Sequence, residues 1–296
     1  MAINAPQLAC AILSYRDEPF LAEAVRSVLN QEIAIEVIVV NSGGGKVAEK
    51  LQAAGIDVPV FNVEERLYPG AVRNIGVEQT RAPYVAFLAA DCLAEPGWGA
   101  ARLREHRAGA AAVASVLTNA YPASLTAWAS LLLLHNRRLA VTKPRQQLHY
   151  SLSYERSLFE RFGRFREDLR VGEDTEFNAR FRHCAPTVLA LDAVTAHRYP
   201  TDFQMLLRDA FRRGRLQART HGAIMGRRPS RLLVALRGPR NIQQALVVAT
   251  RSPWPLWGAL LRAWPMAIAG GIAYSLGALM ATGTSPSRQT SSVLTH

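Results

Sequence analysis

Apolar positions along this chain follow two alternating rhythms. Residues 8–15 (LACAILSY) form a short apolar run closed by a polar turn, the pattern of a strand buried on both faces. Pro19 then opens a helix through about Asn30, with Phe20, Leu21, Ala24, Val25, Val28 and Leu29 on one face. Residues 35–40 (IEVIVV) are mainly β-branched and read as a second buried strand, running directly into Asn41-Ser42-Gly43-Gly44-Gly45. A helix over 46–54, a strand over 58–63, a helix over 70–80 and a strand over 84–89 follow, the last breaking at Asp91. Strands alternating with helices predict an α/β unit whose strand C-termini share one edge, where ligands bind.

Beyond Asp91 the rhythm loosens. The pattern predicts a helix over 98–107, a strand over 111–117 and a helix over 124–138. A strand or loop over 149–154, short helices over 155–162 and 173–183, and a strand over 187–191 come next. Residues 201–219 read as an amphipathic helix with Arg208, Arg212, Arg215 and Arg219 along one stripe, and 222–240 as a connector with short helices. Residues 263–283 hold twenty-one consecutive uncharged residues, enough to cross a bilayer at ~1.5 Å per residue. Trp254, Trp257 and Trp264 lie near its start, where interfacial aromatics belong, but Arg262, Pro265 and Gly270-Gly271 interrupt a simple span. Three arrangements fit: a span, a re-entrant or interfacial hairpin over 253–281, and apolar helices packed on the soluble domain. The predicted organisation is an α/β domain over 1–200, basic helices and connector over 201–250, a hydrophobic segment over 251–283, and a polar tail over 284–296.

Charge sharpens this division. The net charge is +12, yet from Thr201 onward thirteen arginines, no lysine and only Asp202 and Asp209 give +11. A basic segment beside a hydrophobic one predicts attraction to an anionic membrane surface. No nucleic-acid partner is expected, because no binding motif appears and aromatics do not interleave with the arginines. Cys10, Cys92 and Cys184 lack CxxC spacing, which argues against a disulfide framework or zinc site and suits a reducing cytosol. The opening MAINAPQLAC has neither a positive stretch nor an apolar run of useful length, arguing against a secretory signal.

Three positions stand out as candidate chemistry. Asp91 follows an apolar strand and would emerge at the sheet's ligand edge; by itself such an Asp is more often a turn former. Glu173-Asp174 open a helix after Gly172, where acids also simply complement the macrodipole. His197 follows VLALDAVTA, where a lone histidine is usually structural.

Their joint order carries more. ILSYRDEPFLAEAVRSVLNQ, EVIVVNSGGG, PGAVRNIGVEQTRAPYVAFLAADCLAEPGW, FGRFREDLRVGEDTEFNARFR, and then His197 with FRRGR at 211–215 resemble, in sequence order, the family 2 glycosyltransferases of the GT-A fold over about residues 8–215. The resemblance implies a GT-A mixed sheet flanked by helices, with the C-terminal helices as a membrane-associated appendage. It implies an enzyme that moves a sugar from a nucleotide-diphosphate donor to a hydroxyl acceptor, lipid-linked or part of a cell-surface glycan, inverting the anomeric centre. Asp91 would bind Mg2+ or Mn2+ bridging the donor pyrophosphate, with His197 as a further ligand. Arg73 would contact the nucleotide and Asn74 help shape its site, while Ser14, Tyr15, Asn41 and Ser42 would cradle base and ribose. Glu173 would line the acceptor segment, and Asp174 would be the general base. The expected location is the cytoplasmic face of the cell membrane.

Two departures from the family pattern matter. The metal motif is usually Asp-x-Asp, and here it is Ala89-Ala90-Asp91; the second strand usually ends in Asp, and here it ends in Asn41-Ser42. The missing acid motivates a rival reading, a nucleotide-sugar-binding scaffold without turnover. A nucleotidyltransferase would need a glycine-bearing phosphate loop after the first strand, where SYRDEPF stands instead.

Overall fold

The computed structural model describes residues 5–139, 150–225, 230–251 and 256–281. Eight strands form one mixed sheet in the order β3-β2-β1-β4-β7-β6-β8-β5. β1 (Leu8–Tyr15), β2 (Ile35–Ser42), β3 (Val60–Val63) and β4 (Tyr84–Ala89) are parallel neighbours. β6 (Ala112–Asn119) and β8 (Thr187–His197) are parallel to each other, while β7 (Leu152–Glu155) and β5 (Cys92–Ala94) run antiparallel to their partners.

Alternation along β1 feeds two cores. Leu8, Cys10 and Ile12 face α1 (Leu21–Leu29) and α4 (Trp98–Arg107). Ala11 faces the other layer, where Val72 and Val77 of α3 (Pro69–Glu78) meet Phe159 of α6 (Ser157–Phe162) and Phe177 and Phe181 of α7 (Glu173–Phe181). Burial on both faces is why β1, β2 and β4 read as continuous apolar runs. α2 (Val47–Ala53) connects β2 to β3.

Register brings the site together. Ser14 stands opposite Asn41, and Leu13 opposite Ala89, so β1, β2 and β4 end at the same level. After Asp91 the chain reverses into β5, where Cys92 pairs with His197 at the end of β8, and the Arg198 N–H donates to the Asp91 carbonyl at 2.9 Å. β8 extends six residues past the 187–191 predicted from its apolar run. Asp192 breaks the pattern only locally, because it is exposed and paired with Arg104 at 2.9 Å.

The C-terminal third is a helical layer on the sheet domain. α5 (Leu125–His135), α8 (Phe203–Met225), α10 (Arg237–Arg251) and α11 (Leu256–Leu279) share a core that includes Leu131, Leu132, Leu206, Leu260, Ala263 and Ala267; the short α9 (Arg231–Ala235) packs beside α8 and α11. Residues 256–279 form one helix that continues through Pro265, and the described part of the apolar segment is not a hairpin. The tail over 284–296 lies outside the described residues. α11 is the one described helix long and apolar enough to cross a membrane. Glycines set its approach to α8: a methyl on Gly214 would strike the Tyr274 carbonyl, and one on Gly277 the Phe211 carbonyl. Gly277→Ala should therefore cost about 1–3 kcal/mol by overpacking, read as a lowered Tm in thermal unfolding.

Candidate active site

Two chambers open at the shared strand edge and meet. The first, about 480 Å³, lies over the ends of β1, β2 and β4 and is lined by Ser14, Tyr15, Ser42 and Asp91 among others. The second, about 440 Å³, lies between the N-terminus of α7 and the helical layer, and includes Glu173, Asp174 and His135. Arg73, Tyr150, Arg170, Asp209 and Arg213 line both.

Charge in the first chamber is cationic. Arg66, Arg73, Arg170, Arg212 and Arg213 face Glu18, Asp91 and Asp209, an excess suited to a diphosphate. Asp209 accepts from Arg212 at 3.1 Å and Arg213 at 2.6 Å. Burial raises its pKa, but these two arginines outweigh it and hold the carboxyl below its ordinary value. Arg212, one of the stripe arginines expected to face lipid, thus lines this chamber instead. Glu18 supplies a second carboxylate to the chamber that Asp91 lines; burial and then the Asp91 charge raise its pKa.

Asp91, Cys92 and His197 present ligand atoms all within 4.8 Å of one another. His197 Nε2 is 3.8 Å from Asp91 Oδ2, and its Nδ1 is buried with no hydrogen-bond partner. Burial lowers the His197 pKa, only partly countered by Asp91, so the ring is neutral and offers a lone pair. The carboxylate oxygen suits Mg2+ or Mn2+, and the imidazole nitrogen beside it favours Mn2+, a transition-metal ion, over Mg2+. Burial raises the Cys92 thiol pKa well above normal, and its Sγ lies 3.5 Å from Asp91 Oδ1 and 3.3 Å from the Tyr150 hydroxyl. As a protonated thiol it is a poor ligand for a hard cation.

Asp174 sits in the first turn of α7. Its Oδ2 accepts the Tyr150 N–H at 2.8 Å, and its Oδ1 accepts the Thr175 N–H at 2.6 Å. Two backbone donors fix the carboxylate in one orientation at the chamber wall. Tyr150 and Ser151 adopt φ of 67° and 49°, a left-handed backbone that non-glycine residues enter at a cost of roughly 1 kcal/mol each. The buried Arg138 guanidinium donates to the Tyr150 carbonyl and helps hold that turn; burial pulls the Arg138 pKa down to about 10, still charged at neutral pH.

Arg73 forms a buried ion pair with Glu173 and lies 5.8 and 5.7 Å from the Phe87 and Phe165 ring centres. With side chains only 9% and 6% exposed, removing one partner strands the other's charge. Arg73→Ala should cost about 3–5 kcal/mol, which thermal unfolding at neutral pH would register as a large fall in Tm.

The other residues singled out from sequence divide into lining and support. Ser14 and Ser42 line the first chamber, and the Ser14 hydroxyl is buried without a partner. Tyr15 lines it as an exposed ring with the Arg16 and Arg66 guanidinium groups 5.2 and 5.4 Å from its centre. Asn41 is fully buried behind it, donating to the Gly44 carbonyl at 2.8 Å and to Asn62 at 2.7 Å; its contacts shape the glycine turn. Asn74 likewise supports, bonding Glu167 and both the N–H and the carbonyl of Phe165. Sequence reasoning missed Tyr150, Glu18 and His135. Tyr150 and His135 stack with centres 5.0 Å apart, and His135 accepts from or donates to the Tyr199 hydroxyl at 2.8 Å.

The parallel 3-2-1-4 half-sheet is extended by mixed strands, and Asp91 after β4 lies beside His197 at the end of β8. The glycosyl transferase family 2 model matches residues 10–170. The chain belongs to that family and is a family 2 glycosyltransferase. A search of curated proteins returns no match. Among solved structures, the mannosyltransferase PcManGT from Pyrobaculum calidifontis, in complex with GDP-Man and Mn2+, is similar at TM-score 0.58 and 18% identity, over 93% of this chain and 87% of that one. S. aureus TarS 1-349 in complex with UDP is similar at TM-score 0.51 and 15% identity, over 91% of this chain and 90% of that one. These likenesses establish the fold.

Proposed function

We propose an inverting, cation-assisted transfer of a sugar from a nucleoside-diphosphate donor to a hydroxyl acceptor, lipid-linked or part of a cell-surface glycan, at the cytoplasmic face of a membrane. The observation that carries this reading is the meeting of the two chambers, with Asp91 in one and Asp174 in the other. A donor in the first chamber would have its base and ribose against Ser14, Tyr15 and Ser42, and its diphosphate toward the arginines and Asp91. An acceptor in the second would place its hydroxyl against Asp174, which takes the proton as the oxygen attacks the anomeric carbon. Approach from the chamber opposite the leaving diphosphate inverts that carbon.

Asp91 and His197 are the residues that would hold Mg2+ or Mn2+, which supplies charge neutralisation for the leaving diphosphate. That the like neighbour PcManGT is a complex with Mn2+ and GDP-Man supports this assignment of cation and donor class. Arg212 and Arg213 bring positive charge to the same chamber from α8, and Arg73 stays fixed by Glu173 between the two substrates. Thermal-shift screening of nucleotide sugars with and without Mn2+ tests the proposal. A donor should raise Tm in the presence of Mn2+, and a panel with no binder at all would overturn it.

A further inference from the structure

We infer that α9, α10 and α11 form an in-plane docking platform for an anionic lipid bilayer, with α11 lying along the membrane surface instead of crossing it. The inference deepens the membrane-side part of the reading above, and its readout needs no sugar transfer.

α11 has two distinct faces. Leu260, Ala263, Ala267, Gly270, Gly271, Tyr274, Gly277 and Ala278 are buried against the protein. Ile268, Ile272, Leu276 and Leu279 are exposed. At 3.6 residues per turn these two sets occupy opposite sides of the helix. Both sides are apolar, so the outward one is an unpaired hydrophobic stripe; the one charge among the helix's exposed residues is Arg262. The stripe does not stand alone. Ser275 donates to the Ala235 carbonyl at 2.8 Å, tying α11 to α9, whose Leu232, Leu233 and Leu236 are more than half exposed. Leu246 and Val247 of α10 are exposed as well. A patch of this kind on a monomer marks an interaction surface.

Length and composition alone would let α11 span a membrane, but its buried side forbids it. Gly214 and Gly277 bring α8 into backbone contact with α11 near Tyr274 and Phe211. α8 carries Asp209, Arg212 and Arg213 in the donor chamber along the same stretch. A spanning α11 would either drag those charges into hydrocarbon, at several kcal/mol per charge, or detach and open the second chamber, whose wall includes Gly270, Gly271 and Tyr274. Lying in the plane avoids both, and leaves the acceptor chamber on the inner side of the same helix that meets lipid.

Charge selects the occupant. From Phe211 to His296 there is no acidic residue, while Arg231, Arg240 and Arg262 are exposed on the three platform helices. Basic residues around an apolar stripe are complementary to anionic headgroups above acyl chains, whereas a second copy of this surface would bring like charges together.

The test adds the full chain to preformed vesicles of phosphatidylcholine, with and without phosphatidylglycerol, and measures co-sedimentation. Binding should be at least ~10-fold tighter to the phosphatidylglycerol vesicles. Ile272→Asp with Leu276→Asp should weaken it at least ~10-fold, with Mn2+ binding unchanged and the fold kept, because these side chains are half exposed and outside the buried clusters of the helical layer. Should the double Asp variant lose its folded signal, Ile272→Ser with Leu276→Ser provides the same comparison. Topology is read in a Cys184→Ser background, since Cys10 and Cys92 are buried and Cys184 is exposed. Trp257→Cys and Met280→Cys, at opposite ends of α11, should both react with a membrane-impermeant maleimide from the side of addition. Failure to bind phosphatidylglycerol vesicles, protection of one helix end alone, or a stable dimer that hides the stripe would each overturn the platform; none would touch the chemistry proposed for Asp91 and Asp174.

Discussion

Asp174→Asn is expected to lower the transfer rate by roughly 10²–10⁴-fold, the usual contribution of a positioned general base, while leaving nucleotide-sugar affinity within a few-fold of the parent. Asp174 lines the second chamber and not the first, so its loss leaves the residues around the donor in place. The amide is nearly isosteric, but its nitrogen cannot accept from Tyr150 or Thr175 as a carboxylate oxygen does. One hydrogen bond is therefore lost, at about 1 kcal/mol of stability, too little to unfold a domain of this size. Single-turnover kinetics with saturating donor, paired with calorimetry of donor binding, separates the two effects. A variant that transfers at the parent rate would remove Asp174 as the base, whereas donor binding without transfer in the parent protein would revive the scaffold reading that Ala89 motivates.

What the sequence made legible follows from which forces are local. β1, β4 and α4 emerge with the boundaries expected, because burial on both faces, or an apolar stripe, writes itself into consecutive residues. β5 was invisible: three residues cannot show a period, and only pairing with β8 defines Cys92–Ala94 as a strand. The first turn of α10 falls at the end of the Gly/Pro/Arg-rich segment 222–240, expected to be a connector with short helices, yet a proline in a first turn lacks only an N–H that has no helical acceptor. The 182–183 end of the predicted 173–183 helix falls outside α7, which stops at Phe181.

The site divides the same way. Asp91, Asp174 and His197 could be singled out because each sits at an element boundary and together they matched a family order. Tyr150 could not. Its importance is wholly tertiary, since its N–H meets Asp174, its hydroxyl meets Cys92 and its ring stacks on His135. Glu18 likewise becomes a candidate only when folding sets it in the chamber of Asp91. It is a carboxylate from another loop in a site where the family's first acid is replaced by Ala89.

That substitution gives the second large effect its interest. With Ala89 in place of an acid, Asp91 and His197 would be the ligand pair that remains in the proposed cation site, and loss of either donor should be felt in full. Even changes to groups behind a metal ligand cost about 10–100-fold in metal affinity, so Asp91→Asn should weaken Mn2+ binding by on the order of 10²-fold or more. Donor binding that depends on Mn2+ should fall with it, and transfer should fall to the level left by adding a chelator to the parent protein. Fold is not at stake, because the Asp91 side chain is 41% exposed and its carbonyl, which bonds Arg198, is unchanged. Cys92→Ser is the informative partner variant. Its sulfur is buried and protonated, and manganese prefers oxygen and nitrogen, so that variant should keep Mn2+ affinity within a few-fold. Glu18→Gln asks whether the second carboxylate shares the load: a loss of ~10-fold or more would make it a participant in cation binding. Calorimetric titration of Mn2+ into each variant, repeated with UDP and with GDP, reads all three. Unchanged affinity in Asp91→Asn would mean the cation, if used at all, is held elsewhere, and would shift the burden of neutralising the diphosphate onto Arg212 and Arg213.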